Sequence, residues 1–157
     1  MIKIRKATHK DVKSITSLWC EFMDLHEGYD NYYKRAKNGT KVFSDFINKQ
    51  ISDRNSLVLV GIINKVICAY LSAKIDNRPA VFSETKYGYI FDIAVNKKYQ
   101  RKGIGEQIYN EAIEWFRKRK IKRIELTVAI SNPISMSFWS KLGFKPYSER
   151  RFIEIDN

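Results

Sequence analysis

Two glycines separated by one residue stand in a cationic run at residues 97–105, which reads Lys-Lys-Tyr-Gln-Arg-Lys-Gly-Ile-Gly. The apolar run at 89–95 predicts a buried strand before this loop, and apolar residues three and four apart over 104–116 predict a helix after it. The first N–H groups of a helix lack intrahelical partners and lie at the positive end of its dipole. Gly103 and Gly105 can adopt unusual dihedrals and allow close approach, and the cations add positive potential. The pattern therefore predicts a phosphate site.

The spacing of the glycines excludes two common phosphate loops. A dinucleotide fingerprint needs a third glycine at position 108, which is Ile108. A nucleoside-triphosphate loop ends in Gly-Lys-Ser/Thr, whereas residues 102–104 read Lys-Gly-Ile. Residues 100–105 instead resemble the Gln/Arg-x-x-Gly-x-Gly/Ala loop of the GCN5-related N-acetyltransferases (the GNAT family), which cradles the pyrophosphate of acetyl coenzyme A (acetyl-CoA).

A second motif lies at residues 132–144, where Asn132 and Pro133 are typical of a helix start and Gly143 of a helix end. Its order, Asn followed by Phe-Trp-x-Lys-Leu-Gly-Phe, resembles the last helix and following strand of the same family. The resemblance extends over the whole chain and implies an α/β fold in which helices flank a mixed, mostly antiparallel sheet.

The resemblance also implies a set of cofactor contacts. Main-chain groups of Ile93 and Val95 would pair with the pantetheine arm, and an N–H near Ala94 or Val95 would polarise the thioester carbonyl. Residues 100–105 would wrap the pyrophosphate. We further hypothesise that Trp139 shapes the acetyl pocket. The implied cofactor-binding residues are Ile93, Ala94, Val95, Gln100, Arg101, Lys102, Gly103, Ile104, Gly105, Asn132 and Trp139.

The implied reaction is direct attack of a neutral amine on the thioester, so some group must take a proton from the ammonium form. Asp92 occupies the place where many family members carry an acid; Glu84 is a second candidate, and a structural role for Asp92 is the alternative. Trp139 stands where the family usually has a tyrosine that acts as the general acid, and indole has no titratable proton. Either Tyr147 or Tyr99 protonates the leaving thiolate, or solvent does.

Residues 26–41 form the longest polar and aromatic stretch, and we expect an irregular segment there. In the resembled family the segment between the first two helices forms part of the acceptor wall. Tyr29, Asp30 and Tyr33 would suit a cationic amine through charge pairing and cation–π contact. The alternative is a loop pinned by its tyrosines. No histidine has a partner at metal-ligand spacing, so no metal site is expected.

The chain has 157 residues and a net charge of +12, which fits one domain spanning 1–157 that binds a polyanion. Residues 117–123 carry the densest basic cluster, which indicates either a solvated helix end or a nucleic-acid contact. The second function class is therefore a module that binds acetyl-CoA or nucleic acid without efficient catalysis. Isolated cysteines, the absence of a long apolar run and a charged N-terminus predict a cytoplasmic protein, and the family resemblance suggests a possible homodimer.

The periodicities predict an element order of β, α, α, β, β, β, α, β, α, β. The predicted strands lie at 2–5, 56–61, 65–73, 87–95 and 123–128, with a final β segment near the end. The predicted helices run from a cap at Thr8 to about residue 26, over 42–51, over 104–116 and over 132–143.

Overall fold

The structure, a computed structural model, describes residues 1–155 and divides the chain into two units that meet between Thr127 and Val128. The first unit contains one sheet, in which neighbouring strands are antiparallel except for the last, parallel pair. Its strands, in both chain and spatial order, are β1 (Lys3–Lys6), β2 (Ser56–Ile63), β3 (Val66–Asn77), β4 (Lys86–Val95) and β5 (Ile124–Leu126). The predicted mixed, mostly antiparallel sheet is confirmed.

The helices of the first unit lie on both faces of this sheet. They are α1 (Val12–Tyr29), α2 (Gly39–Ser52) and α3 (Ile104–Lys118), and the second unit contains α4 (Pro133–Lys141). Single 3-10 turns lie at His9–Asp11, Asn31–Tyr33 and Lys97–Tyr99. The assignment of one domain stays a prediction.

Each face of the sheet packs against its own helices. On one face Val60 and Tyr70 are fully buried in a core with Ile15 of α1 and Ile47 of α2. The other face packs on α3, where a Cβ added to Gly88 would lie 2.5 Å from the Phe116 ring. Only a glycine therefore lets α3 approach β4 this closely.

The two apolar runs that flank Asn64 predict a β-hairpin, and β2 and β3 form one. Asn64 and Lys65 have φ of 49° and 66°, both in the left-handed region that a tight hairpin turn requires. The hairpin sets the register in which Leu59 faces Leu71, so the central strands bury aliphatic side chains on both faces.

The irregular segment expected over 26–41 is shorter in the structure: it covers residues 30–38 and contains one 3-10 turn, and both ends of the expected range are helical. Helix α1 continues to Tyr29 because His26 is buried, packs on the Phe22 ring at 4.1 Å and pairs through Nδ1 with the Phe22 carbonyl. The next helix begins at Gly39 rather than Val42. The sequence concealed the end of α1 because the contacts that stabilise it come from a single polar side chain, His26.

The final β segment is also not found: residues 142–155 contain no strand. Phe152, Ile153 and Ile155 are exposed there, so no sheet partner covers them in the described part of the chain. Over residues 1–155 no helix combines the length and apolarity needed to cross a membrane. The same residues contain no cluster of His, Cys, Asp and Glu that could hold a metal ion.

Candidate active site

The loop before α3 has the geometry of an anion site. Gly103 caps α3 with φ 72°, and a Cβ there would meet only the Gln107 amide at 3.9 Å. The backbone conformation, rather than lack of space, therefore requires glycine. Ile104 is buried and anchors the helix start, while the N–H groups of Ile104 and Gly105 have no protein acceptor within residues 1–155.

The two glycines of the loop differ in backbone conformation. Gly105 lies inside α3 and is not among the residues with positive φ. The second left-handed position is Arg101, with φ 61°. A non-glycine residue in this region carries a backbone cost of about 1–2 kcal/mol. That strain was invisible in the sequence, since arginine rarely marks such a turn.

Side-chain hydrogen bonds hold the loop against the end of β4. The Gln100 amide donates to the Val95 carbonyl at 2.9 Å, and the Asn96 amide donates to Glu21 of α1 at 3.1 Å. The exposed Lys102 ammonium lies 5.7 Å from the Tyr99 ring centre. Gln100 thus shapes the loop, and the exposed cations remain directed to solvent.

Strand β4 leaves its neighbour β5 at a β-bulge. Ala73 of β3 pairs with Ile90 and Ser72 pairs with Asp92, so Phe91 is an extra residue in β4. Pairing with β5 ends at Ile90, and residues 91–95 have no partner on β5. The bulge therefore opens a main-chain edge immediately before the cationic loop.

The open edge presents alternate residues of β4. The Asn96 N–H donates to the Cys68 carbonyl at 2.8 Å, on the β3 side. Because main-chain groups alternate in direction along a strand, those of Val95 and Ile93 point away from β3. These are the two residues whose backbone was expected to face the cofactor, whereas Ala94 points toward β3.

The same bulge determines where Asp92 lies. Counting by twos from Ile90 would put Asp92 on the α3 face, but the extra residue puts it opposite Ser72, on the face that carries Tyr70. Asp92 is half-buried as a residue, but its carboxyl group is surrounded by protein atoms. This burial raises the pKa of Asp92 to about 6, and the nearby Tyr70 hydroxyl limits the rise.

The candidate acceptor residues lie at the far end of α1. Asp30 accepts the Tyr32 N–H at 2.9 Å and so caps the 3-10 turn, and the Tyr33 ring contacts His26 at 5.6 Å. Tyr29 is the last residue of α1 and is 36% exposed. These contacts are consistent with the pinned-loop alternative, and a substrate role stays a prediction.

Three of the predicted site residues belong to the second unit. Asn132 is buried and accepts the Ser135 N–H at 3.0 Å, which caps α4 as expected. Trp139 is buried and its ring contacts Phe144 at 5.3 Å. Tyr147 is 64% exposed. Their roles toward the cofactor stay predictions.

Two further candidates lie in the first unit. Glu84 is exposed and lies 3.7 Å from Lys122, so its carboxylate already has a cationic neighbour. Tyr99 contacts Lys102 in the loop itself. Neither position contradicts a catalytic role, and neither tests one.

The comparisons with known proteins agree with this geometry. Residues 14–144 match the acetyltransferase (GNAT) family. The chain belongs to this family. An uncharacterized N-acetyltransferase from Methanocaldococcus jannaschii is 25% identical over 148 residues, which cover 90% of this chain and 60% of that protein. The ribosomal protein bS18-alanine N-acetyltransferase of Salmonella typhimurium is 31% identical over 88 residues, covering 52% of this chain and 60% of that protein.

The chain therefore spans 60% of the length of each of these curated GNAT relatives. A crystal structure of a predicted acetyltransferase with acetyl-CoA, from Clostridium acetobutylicum, has a TM-score of 0.79 to this chain. The two are 18% identical, and the superposition covers 99% of this chain and 96% of the other. At that identity the likeness shows a shared fold.

Proposed function

We propose that this GNAT chain transfers the acetyl group of acetyl-CoA to a primary amine of a small molecule or a peptide. One observation carries the proposal: a cationic helix N-terminus adjoins a strand edge that the bulge at Phe91 has released from pairing. A ligand with a pyrophosphate at one end and an amide-containing arm at the other matches both parts.

The residues fit such a ligand. The N–H groups of Ile104 and Gly105 and the charges of Arg101 and Lys102 would bind the pyrophosphate. Main-chain groups of Ile93 and Val95, directed to the open edge, would pair with the arm as an added strand does. Bound acetyl-CoA supplies an acetyl group activated as a thioester. The main-chain N–H groups of Ala94 and Val95 are the two candidate donors to the thioester carbonyl oxygen. Val95 is favoured because its main-chain groups point to the open edge, whereas those of Ala94 point toward β3.

Asp92 would take the proton of the acceptor ammonium. An alkyl ammonium has a pKa near 10, so transfer to an ordinary carboxylate costs about 9 kcal/mol. With the pKa of Asp92 at about 6, that cost falls by about 3 kcal/mol. The raised value thus supports Asp92 as a general base over a solely structural role.

No dedicated acid is needed for the leaving group. A free thiol has a pKa near 8.5, so its thiolate is a tolerable leaving group that solvent can protonate. Trp139 cannot supply a proton, and Tyr147 and Tyr99 remain the alternatives. Replacing each tyrosine by phenylalanine and measuring turnover at high pH would identify an acid if one operates.

A cationic amine is the acceptor class that the residues favour. Tyr29 lies about 12 Å along α1 from Glu21, which contacts the end of β4. An extended amine could therefore reach from Asp92 toward the aromatic and acidic end of α1, where Asp30 supplies negative charge. The alanine acceptor in the name of the ribosomal-protein relative supports an amino group as nucleophile.

The test is calorimetry with acetyl-CoA, followed by a thiol-release screen over polyamines, amino acids, aminoglycosides and peptides. Reversing Arg101 and Lys102 to glutamate should weaken binding at least tenfold, because two phosphate-facing charges change sign. Reversing Lys118 and Lys120, about 20 Å away at the other end of α3, changes net charge equally and should leave binding intact. Equal effects of the two double variants would reject the loop as the site.

The alternative function, a nucleic-acid module, makes a different prediction for the same proteins. Duplex DNA binding should fall steeply with salt and should depend on the basic cluster at 117–123 rather than on the loop. Saturable acetyl-CoA binding without thiol release for any acceptor would instead favour a binding module. A cytoplasmic location and a homodimer stay predictions.

A further inference from the structure

Two hydroxyl groups in the core of this GNAT chain lack partners. Tyr70 and Ser72 of β3 are both 0% exposed, and neither hydroxyl oxygen has a hydrogen bond within the described residues. Buried polar groups without partners are rare in folded proteins, and each carries a desolvation cost. Val58 and Val60 lie on the same face and are apolar. An apolar side chain at position 70 or 72 would therefore avoid this desolvation cost.

The register of the sheet places both residues beside Asp92. Ser72 lies directly opposite Asp92, and Tyr70 is its diagonal neighbour, opposite Ala94. Residues in these two relations on one face are within side-chain reach of each other. The Tyr70 hydroxyl interacts electrostatically with the carboxyl group of Asp92, although the two do not meet hydrogen-bond geometry.

We propose that Tyr70 and Ser72 are positioning residues for Asp92, whose hydroxyls orient its carboxylate toward the acceptor amine at the open edge of β4. This inference rests on the proposed function, in which a proton leaves the ammonium nitrogen and bonds to a carboxylate oxygen of Asp92. The hydrogens of Tyr70 and Ser72 stay on their own oxygens. They stabilise the ionised carboxylate before transfer and release it as it becomes neutral.

The surroundings leave this role to the two hydroxyls. From α1 the titratable group beside Tyr70 is Cys20, and α2 contributes Phe43 and Ile47, which are apolar. Burial raises the pKa of Asp92, and the Tyr70 hydroxyl is the group that lowers it. Lys74, two residues beyond Ser72, is paired with Asp76 at 2.5 Å. Hydroxyl donors are thus the groups available to favour the charged form.

The experiment follows the carboxyl carbon of Asp92 by NMR in the free enzyme, with 13C-labelled aspartate assigned through Asp92→Asn. Tyr70→Phe should raise the measured pKa of Asp92 by about one unit, since one donor to the charged form is lost. Ser72→Ala should raise it by less. The matched control is Tyr87→Phe, which removes a hydroxyl from β4 nearer its other end and should leave Asp92 unchanged.

Kinetics and stability separate positioning from packing. In Tyr70→Phe the acidic limb of the kcat profile should move with the NMR value. At pH 4, where Asp92 is neutral in the folded state of both proteins, the unfolding midpoint should stay level or rise because an unpartnered buried hydroxyl is removed. If Tyr70→Phe does not fold, Ser72→Ala carries the same test. An unchanged pKa of Asp92 in the folded variants would overturn the inference. A shifted pKa in an enzyme that acetylates no amine would refute the proposed function instead.

Discussion

The substitution Asp92→Asn should make the protein more stable at pH 8 and no more stable at pH 4. Burial raises the pKa of Asp92 from 3.8 to about 6, so between these values the folded state binds the proton more tightly than the unfolded state. Its stabilising contribution is complete below pH 4 and is lost as pH rises through about 6. This rise in the pKa of Asp92 corresponds to about 3 kcal/mol at pH 8.

Asparagine has nearly the same shape and no charge to bury, so the variant avoids this cost at every pH. Urea unfolding at pH 4 and pH 8 measures the difference between variant and wild type, which should grow from near zero to about 3 kcal/mol. The same variant should lose about 10²–10⁴-fold in turnover if Asp92 is the base. A gain in stability with a loss in activity is the expected pair of results.

The control is Asp76→Asn on the neighbouring strand. The Lys74 ammonium hydrogen-bonds to Asp76 and lowers the pKa of that carboxyl, so its contribution has the opposite sign. Asp76→Asn should therefore lose stability at pH 8, with a smaller loss as pH falls. Two results would contradict a buried carboxyl group with a raised pKa. One is an Asp92→Asn variant less stable than wild type at pH 8; the other is the same difference in unfolding free energy at both pH values.

Three further substitutions test separate parts of the structure. Gly103→Ala should lower the free energy of unfolding by about 1–2 kcal/mol and weaken acetyl-CoA binding in calorimetry, because φ at this residue is 72°. The control Gly28→Ala inside α1, where an added Cβ meets no atom within 4 Å, should not destabilise the protein. Asp11→Asn breaks a pair with Arg5 at 2.7 Å and should cost about 2 kcal/mol in urea unfolding at pH 7, less as pH falls, because Arg5 lowers the pKa of Asp11. Trp139→Phe should raise the Michaelis constant for acetyl-CoA; unchanged kinetics would reject its role in the acetyl pocket.

The glycine loop between β4 and α3 could be predicted because its determinants are local. An apolar strand, a glycine at a helix start and a run of cations are all visible within residues 89–116, and the unpaired N–H groups follow from helix geometry alone. Gly103 was assigned a special conformation and has one, with φ 72°. The cap of α4 by Asn132 is equally local and is found as predicted.

The environment of Asp92 could not be predicted because it depends on pairing between distant residues. Phe91 is an ordinary strand residue in the sequence, and only the register with β3 makes it a bulge. The hydroxyls of Tyr70 and Ser72 interrupt an otherwise apolar run over 66–73, and that interruption is the available signal. That these two residues lie beside Asp92 follows only from the pairing of β3 with β4.

One inserted residue links three properties of this site. Pairing with β5 ends at Ile90, directly before Phe91, and residues 91–95 have no partner on β5. The insertion also reverses the alternation, so Ile93 and Val95 rather than Asp92 and Ala94 direct their main-chain groups outward. For the same reason the carboxyl group of Asp92 turns to the face that holds the unpartnered hydroxyls. A register slip at this point would therefore turn Asp92 to the other face and direct the main-chain groups of Asp92 and Ala94 outward instead.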